Sequence, residues 1–266
     1  MKRFGVTGDP VSHSRSPAMH QAAFAALGLD AEYQLLPLTT ELFDETVRAL
    51  PGSGFAGINV TIPHKAAALA VADSASDAAR AIGAANTLTF DGGSIHADNT
   101  DAPGMIAAID RELTGLSALV LGAGGTARAA IWALKEAGAE VSVWNRTAER
   151  AAGLASEFGV VSVTGTEAGA GRDLIVNTTA VGMGGDEDED SVLQALGLQL
   201  PEIREDATIV DFVYRDGSSP LTSAARAHGL RVIDGPELLA RQGALSFEIW
   251  WNQPAPLDAM RAALTA

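Results

Sequence analysis

The residues with the clearest chemistry are glycines. Gly122-Ala123-Gly124-Gly125-Thr126-Ala127 follows the apolar run Ala118-Leu119-Val120-Leu121 and opens a helical pattern that continues to Ala137. Glycine permits a tight turn and lets a pyrophosphate come close to the backbone, while free N–H groups and the positive end of the helix dipole stabilise its charge. A plain strand-to-helix turn is the bland alternative; a strand before and a helix after lift the match above it. The next apolar run, Glu140–Trp144, ends on Asn145-Arg146-Thr147. An acid at that point would hold the ribose hydroxyls of NAD and repel a 2′-phosphate. Arg146 offers instead a planar fork for phosphate and a flat face for adenine, with the Thr147 hydroxyl beside it and Arg150 close behind in sequence. NADP is the expected ligand; the alternative for Arg146 and Arg150 is a solvated helix face.

Such a turn needs a sheet to hold it, and the chain alternates short apolar runs with alanine-rich helical patterns, as a mostly parallel sheet requires. Arg3–Gly8 reads as a strand, Pro17–Leu27 as a helix capped by Ser16, and Glu32–Pro37 as a second strand followed by a helix from about Thr40. Phe55–Val60 reads as a third strand, and Pro63 opens another helix. A second series starts at Ala118 and adds strands near Leu174–Val176 and Ile209–Phe212, with the boundary around Asp101–Gly104. From Glu237 the chain is helical, with apolar positions at Leu238, Leu239, Leu245, Phe247 and Ile249. Without a strand of its own, this tail is expected to pack back on the first domain. The expected fold is α/β with two domains, residues 1–101 completed by 237–266 and residues 102–236. The run Gly184-Gly185-Asp186-Glu187-Asp188-Glu189-Asp190 reads as a solvated loop, because like charges this dense repel; a metal site is the alternative, but the run lacks the ligand spacing of a calcium loop.

Bulk composition excludes several classes. The 266 residues, 47% hydrophobic and 19% charged, suffice for a core without staples. No cysteine is present, so disulfides and thiolate chemistry are absent. A net charge of −15 repels nucleic acid and anionic lipid, so an anion site has to be built from local groups. The apolar start of the chain breaks at Gly8-Asp9-Pro10, too soon for a signal-peptide core, and no stretch is long enough to span a membrane. The expectation is a cytoplasmic protein, monomer or homodimer, without nucleic-acid or membrane partners.

Ser14-Arg15-Ser16-Pro17, Asn59-Val60-Thr61-Ile62-Pro63-His64-Lys65, Asn86-Thr87, Asn99-Thr100-Asp101, the glycine turn, Asn145-Arg146-Thr147 and Gln242-Gly243-Ala244 together resemble the shikimate dehydrogenase family, in order along nearly the whole chain. The resemblance implies a substrate domain and a Rossmann-type domain for NADP. It implies reversible NADPH-dependent reduction of 3-dehydroshikimate to shikimate in aromatic amino acid biosynthesis. It makes Lys65 and Asp101 the catalytic pair, in which the ammonium stabilises the developing oxyanion and supplies its proton while the carboxylate orients it and keeps it charged. By themselves, Lys65 reads as a surface lysine near the start of an alanine-rich helix and Asp101 as a cap before Pro103. Ser14 and Ser16 match the family's carboxylate grip, with a helix cap as the alternative for Ser16. Asn59, Thr61, Asn86 and Gln242 match positions that bind ring hydroxyls. Tyr214 matches one near substrate, and Phe212 and Gly235 match positions near the nicotinamide, a core aromatic being the alternative for Phe212.

Two departures stand out. Pro236-Glu237 replaces the family's usual residues after Asp234-Gly235, and an acidic run follows Met183 where the family is less charged. A quinate or quinate/shikimate dehydrogenase is a second reading, though such relatives often carry threonine for the second serine and an acid at the 2′-phosphate position. A non-catalytic NADP-binding regulator is a third.

Overall fold

A computed structural model describes residues 1–165, 169–215 and 217–265. The chain divides into two compact units, residues 1–104 with 239–266, and residues 105–238.

The first unit contains β1 (Lys2–Gly8), α1 (Ser16–Ala26), β2 (Ala31–Pro37), α2 (Phe43–Ala49), β3 (Phe55–Val60), α3 (Lys65–Val71), β4 (Ser74–Ala75), α4 (Asp77–Ile82), β5 (Thr87–Asp91) and β6 (Ser94–Asp98), and α5 (Asp101–Ile109) starts in it. Its described strands form one sheet in the order β2-β1-β3-β5-β6-β4. β1 pairs in parallel with β2 and β3, whereas β5 runs antiparallel to both β3 and β6. The β5–β6 hairpin was not anticipated, although Asp91-Gly92-Gly93 signals it: both glycines take positive φ, +56° and +88°, as the tight hairpin turn requires.

The second unit contains β7 (Ser117–Leu121), α6 (Gly125–Glu136), β8 (Glu140–Trp144), α7 (Ala148–Phe158), β9 (Val161–Ser162), β10 (Leu174–Asn177), α8 (Glu189–Leu196), β11 (Thr208–Asp211), α9 (Pro220–Ala227) and β12 (Arg231–Ile233). The strands are parallel throughout, in the order β9-β8-β7-β10-β11-β12. This is the doubly wound order whose reversal point, between β7 and β10, lies beside the glycine turn. The acidic run is exposed, as a solvated loop should be, and only its last two residues enter a helix. Asp188 caps α8 by accepting from Ser191 N at 2.7 Å, and Glu189 and Asp190 occupy the first turn, where the helix dipole favours negative charge. Glu187 Oε2 accepts from Gly182 N at 3.0 Å and Gly184 N at 3.1 Å.

α10 (Gly235–Trp251) and α11 (Leu257–Thr265) close the chain, and from Leu239 onward they belong to the first unit. Phe247, Trp250 and Met260 join Phe4, Met19, Phe24 and Tyr33 in one core cluster; Phe43, Phe55, Ile58, Val60, Leu88 and Ile95 form another. Strand alternation separates them: Ile58 and Val60 enter the second cluster, while Gly57 and Asn59 face Trp250 and Ser246 of α10. Pro236 and Glu237 lie in the first turn of α10, where proline is tolerated, and Glu237 N donates to Asp234 Oδ1 at 3.3 Å. Among the described residues no helix is long and apolar enough to cross a membrane.

Candidate active site

After β3 the chain turns through Thr61-Ile62-Pro63-His64, and α3 begins at Lys65, later than Pro63 suggested. The turn is fixed from both sides: Thr61 N donates to Thr7 O and His64 N to Thr61 O, each at 2.9 Å. The buried His64 ring bonds Leu38 O at 2.7 Å and stacks on Phe43. This anchoring carries Lys65 inward, so that it is only 8% exposed rather than a surface lysine. A buried ammonium requires a partner, and Lys65 Nζ donates to Asp101 Oδ2 at 2.6 Å.

Asp101 is the first residue of α5, not its cap. Asn99 caps instead, its Oδ1 accepting from Ala102 N at 3.2 Å and its Nδ2 donating to Ala84 O at 3.0 Å. That leaves both Asp101 oxygens for side chains, and Oδ1 accepts from Asn86 Nδ2 at 2.9 Å. Asn86 Nδ2 also reaches Gln242 Oε1 of α10 at 3.2 Å. Gly104 permits that approach, because a Cβ there would lie 2.9 Å from Gln242 N. Asn59, buried, has its carboxamide engaged at both ends: Tyr33 donates to Oδ1 at 2.8 Å, and Nδ2 donates to Ser246 Oγ at 2.9 Å.

Ser16 begins α1, one residue before the expected start, and makes no capping bond through its side chain. The cap reading fails because Arg15, not Ser16, holds the capping position; Ser14 Oγ, two residues upstream, accepts from the Ser16 N–H at 3.3 Å. Ser16 is buried and Ser14 half-buried. Asn99, Thr87, Thr100, Ser246 and Tyr33 carry contacts that the sequence reading did not assign. Ser246 was legible in principle, since it falls one helical turn after Gln242 on the same face.

In the second unit, Gly122 has φ +118°, and a Cβ there would strike the Thr178 hydroxyl, which itself donates to Leu121 O at 2.7 Å. Glycine is required on both counts. Gly124 precedes α6 without a side-chain cap, and among the described residues a Cβ there would meet nothing within 4 Å. Ala123, Gly125 and Thr126 are half-buried, whereas Ala127 is fully buried and packs the helix onto the sheet. Asn145 Nδ2 donates to Thr147 O at 3.0 Å, which shapes the turn after β8. Arg146, Thr147 and Arg150 are exposed. Phe212 is half-buried rather than a core aromatic, as is Tyr214. A side chain at Gly235 would collide with Val213 O and Tyr214 Cβ.

Asp211, unassigned from sequence, ties these loops together. Its Oδ1 accepts from Asn177 Nδ2 at 2.9 Å and Val213 N at 3.1 Å, and its Oδ2 from Ser219 Oγ at 2.5 Å. Burial pushes its carboxyl up to about 6 despite these three donors. In the first unit, burial holds His20 down at about 3, outweighing the opposing effect of Asn59.

Three family models match in chain order: shikimate dehydrogenase substrate binding domain over residues 6–88, shikimate / quinate 5-dehydrogenase over 106–179, and shikimate 5'-dehydrogenase C-terminal domain over 237–265. A shikimate dehydrogenase (NADP(+)) from Anaeromyxobacter sp. (strain K) is 42% identical across 99% of this chain and 95% of its own. One from Methanocella arvoryzae is 42% identical across 98% and 97%. The structure of shikimate 5-dehydrogenase from Thermus thermophilus, in complex with NADP(H) and shikimate, superposes with a TM-score of 0.89 at 42% identity, covering 99% of this chain and 98% of that one. Full-length similarity at this level, with a doubly wound sheet and a glycine turn at its reversal point, places the chain in the shikimate dehydrogenase family.

Proposed function

We propose that this protein catalyses the reversible NADPH-dependent reduction of 3-dehydroshikimate to shikimate in aromatic amino acid biosynthesis, with Lys65 and Asp101 as the catalytic pair. The observation that carries the reading is a buried ammonium 2.6 Å from a buried carboxylate that a neutral amide also holds. Reduction of a ketone adds a hydride to carbon and a proton to oxygen. NADPH, when bound, supplies the hydride. Lys65 supplies the proton from Nζ to the carbonyl oxygen and, in the reverse direction, takes it from the hydroxyl. Asp101 orients that ammonium and balances its charge, so the donor is in place before charge develops.

In this reading the first unit holds substrate and the second the cofactor. Ser14 and Ser16 bind the substrate carboxylate with hydroxyls, which import no charge into a protein of net charge −15. Thr61, Asn86 and Gln242 take ring hydroxyls, with Asn59 behind them, and Tyr214 is a further substrate-binding residue. The N-terminus of α6, uncapped by a side chain, and the turn Gly122–Ala127 fit a pyrophosphate; Asn145, Arg146, Thr147 and Arg150 fit the adenosine 2′-phosphate, and Phe212 and Gly235 the nicotinamide. Ser16 and Arg146 favour shikimate and NADP over quinate and NAD. The same reading makes the enzyme cytoplasmic, a monomer or homodimer.

The test is NADPH oxidation with 3-dehydroshikimate by the parent and by Lys65→Ala. Lys65→Ala is expected to lose about 10²–10⁴-fold in kcat, as removal of a positioned general acid does, with NADP binding by titration calorimetry intact. Two proteins that bind NADP and neither of which turns over would identify a regulator instead.

A further inference from the structure

Behind the Lys65–Asp101 pair lies a buried cluster of three hydroxyls, Thr87, Thr100 and Ser246, between the carboxamides of Asn59 and Asn86. We infer that Ser246 is a positioning residue for catalysis: by filling this cluster it holds the Asn86 carboxamide with its N–H group on Asp101. The inference rests on Lys65 and Asp101 being the catalytic pair.

Counting protons supports it. The backbone N–H of Thr100 donates to Asn86 Oδ1 at 2.7 Å, and since an N–H cannot accept, the Asn86 amide is oriented without ambiguity. Its Nδ2 therefore faces Asp101 Oδ1 at 2.9 Å. Ser246 Oγ donates to Gln242 O at 3.1 Å, its one acceptor outside the hydroxyl cluster. Its two lone pairs then receive Asn59 Nδ2 at 2.9 Å and one threonine, Thr87 at 2.8 Å or Thr100 at 3.1 Å. The other threonine is left to donate to Asn86 Oδ1, 3.2 Å from either hydroxyl, where one lone pair remains beside the Thr100 N–H. Every proton has a distinct acceptor. Without the Ser246 hydroxyl, Asn59 Nδ2 loses its nearest acceptor, and the two threonines are left with that lone pair and with each other, 3.3 Å apart, so the hydroxyls packed against the carboxamide that holds Asp101 no longer have one arrangement.

A structural alternative exists, since a helical serine commonly bonds the carbonyl four residues back. Steady-state kinetics separate the two. Ser246→Ala is expected to lower kcat for NADP-dependent shikimate oxidation about tenfold, equivalent to about 1.4 kcal/mol in the barrier, with KM for NADP unchanged. In an Asn86→Ala background the same substitution should cost little more, because both act through one carboxamide. Thr100→Ser is expected to recover most of what Thr100→Val loses. A Ser246→Ala protein with a lowered Tm and parental kcat, or effects that simply add to those of Asn86→Ala, would overturn the inference. Lys65→Ala reports on the pair separately, and parental kcat in that variant would remove the premise itself.

Discussion

At the scale of single residues, the site is defined by what each polar group is already bonded to. Lys65 is charged in a place that water hardly reaches, and Asp101 serves it because Asn99 has taken over the capping duty an acid at a helix start would otherwise perform. Arg146 is the opposite case, an exposed guanidinium in the turn after β8, while Arg128 of α6 is tied to Glu157. If Arg146 holds the 2′-phosphate, Arg146→Ala removes charge-assisted bonds worth about 1.5–3 kcal/mol. NADPH affinity should then fall roughly ten- to a hundredfold while NADH affinity stays put. Fluorescence titration with both coenzymes reads this directly, and equal weakening of the two would refute the assignment.

At the scale of elements, glycine decides how closely helices approach. α5 passes α10 at Gly104, where even a methyl group would press on the backbone of Gln242. Backbone cannot rotate away as a side chain can, so Gly104→Ala should force the two helices apart and cost about 1–3 kcal/mol, as overpacking does. Since Gln242 Oε1 and Ser246 Oγ both reach the network behind Asp101 from α10, a fall in kcat should accompany the loss in Tm. A thermal melt and a rate measured on the same preparation check both, and an unchanged Tm would show that the contact yields easily. The α5–α10 approach was invisible in the sequence, because the partners lie 138 positions apart, at 104 and 242, and no local pattern links them.

At the scale of the whole molecule, the two units carry buried titratable groups of opposite sign. His20, in the first unit, stays neutral to about 3 when folded but takes up a proton near its ordinary 6.5 when unfolded. Acid therefore favours the unfolded chain, and this contribution to stability declines as pH falls through 6.5 toward 3. Asp211, in the second unit, binds its proton at about 6 when folded and only near 3.8 when unfolded. Acid favours its folded state, so stability rises as pH falls from 6 toward 3.8, while above 6 the buried charge costs about 3 kcal/mol. Calorimetry at pH 7 and pH 5 should show the melting of the first unit moving down relative to that of the second. Asp211→Asn should abolish the gain of the second unit, and identical shifts in both units would contradict the assignment.

Much of this protein was legible in one dimension. The glycine turn, the strands at Phe55–Val60 and Glu140–Trp144, and the basic turn after the latter are local patterns, fixed by backbone sterics and by periodicity over a few residues. The resemblance to a family supplied Lys65 and Asp101 as names. The tertiary structure decided whether they could meet: a lysine opening an alanine-rich helix is buried only because the turn before it is anchored to Thr7, Leu38 and Phe43. Hydrogen-bond networks such as the one through Ser246 escape sequence reading for the same reason. Their members come from five elements or turns, and the constraint that joins them is the need of each buried donor for its own acceptor, which exists only once the chain has closed around it.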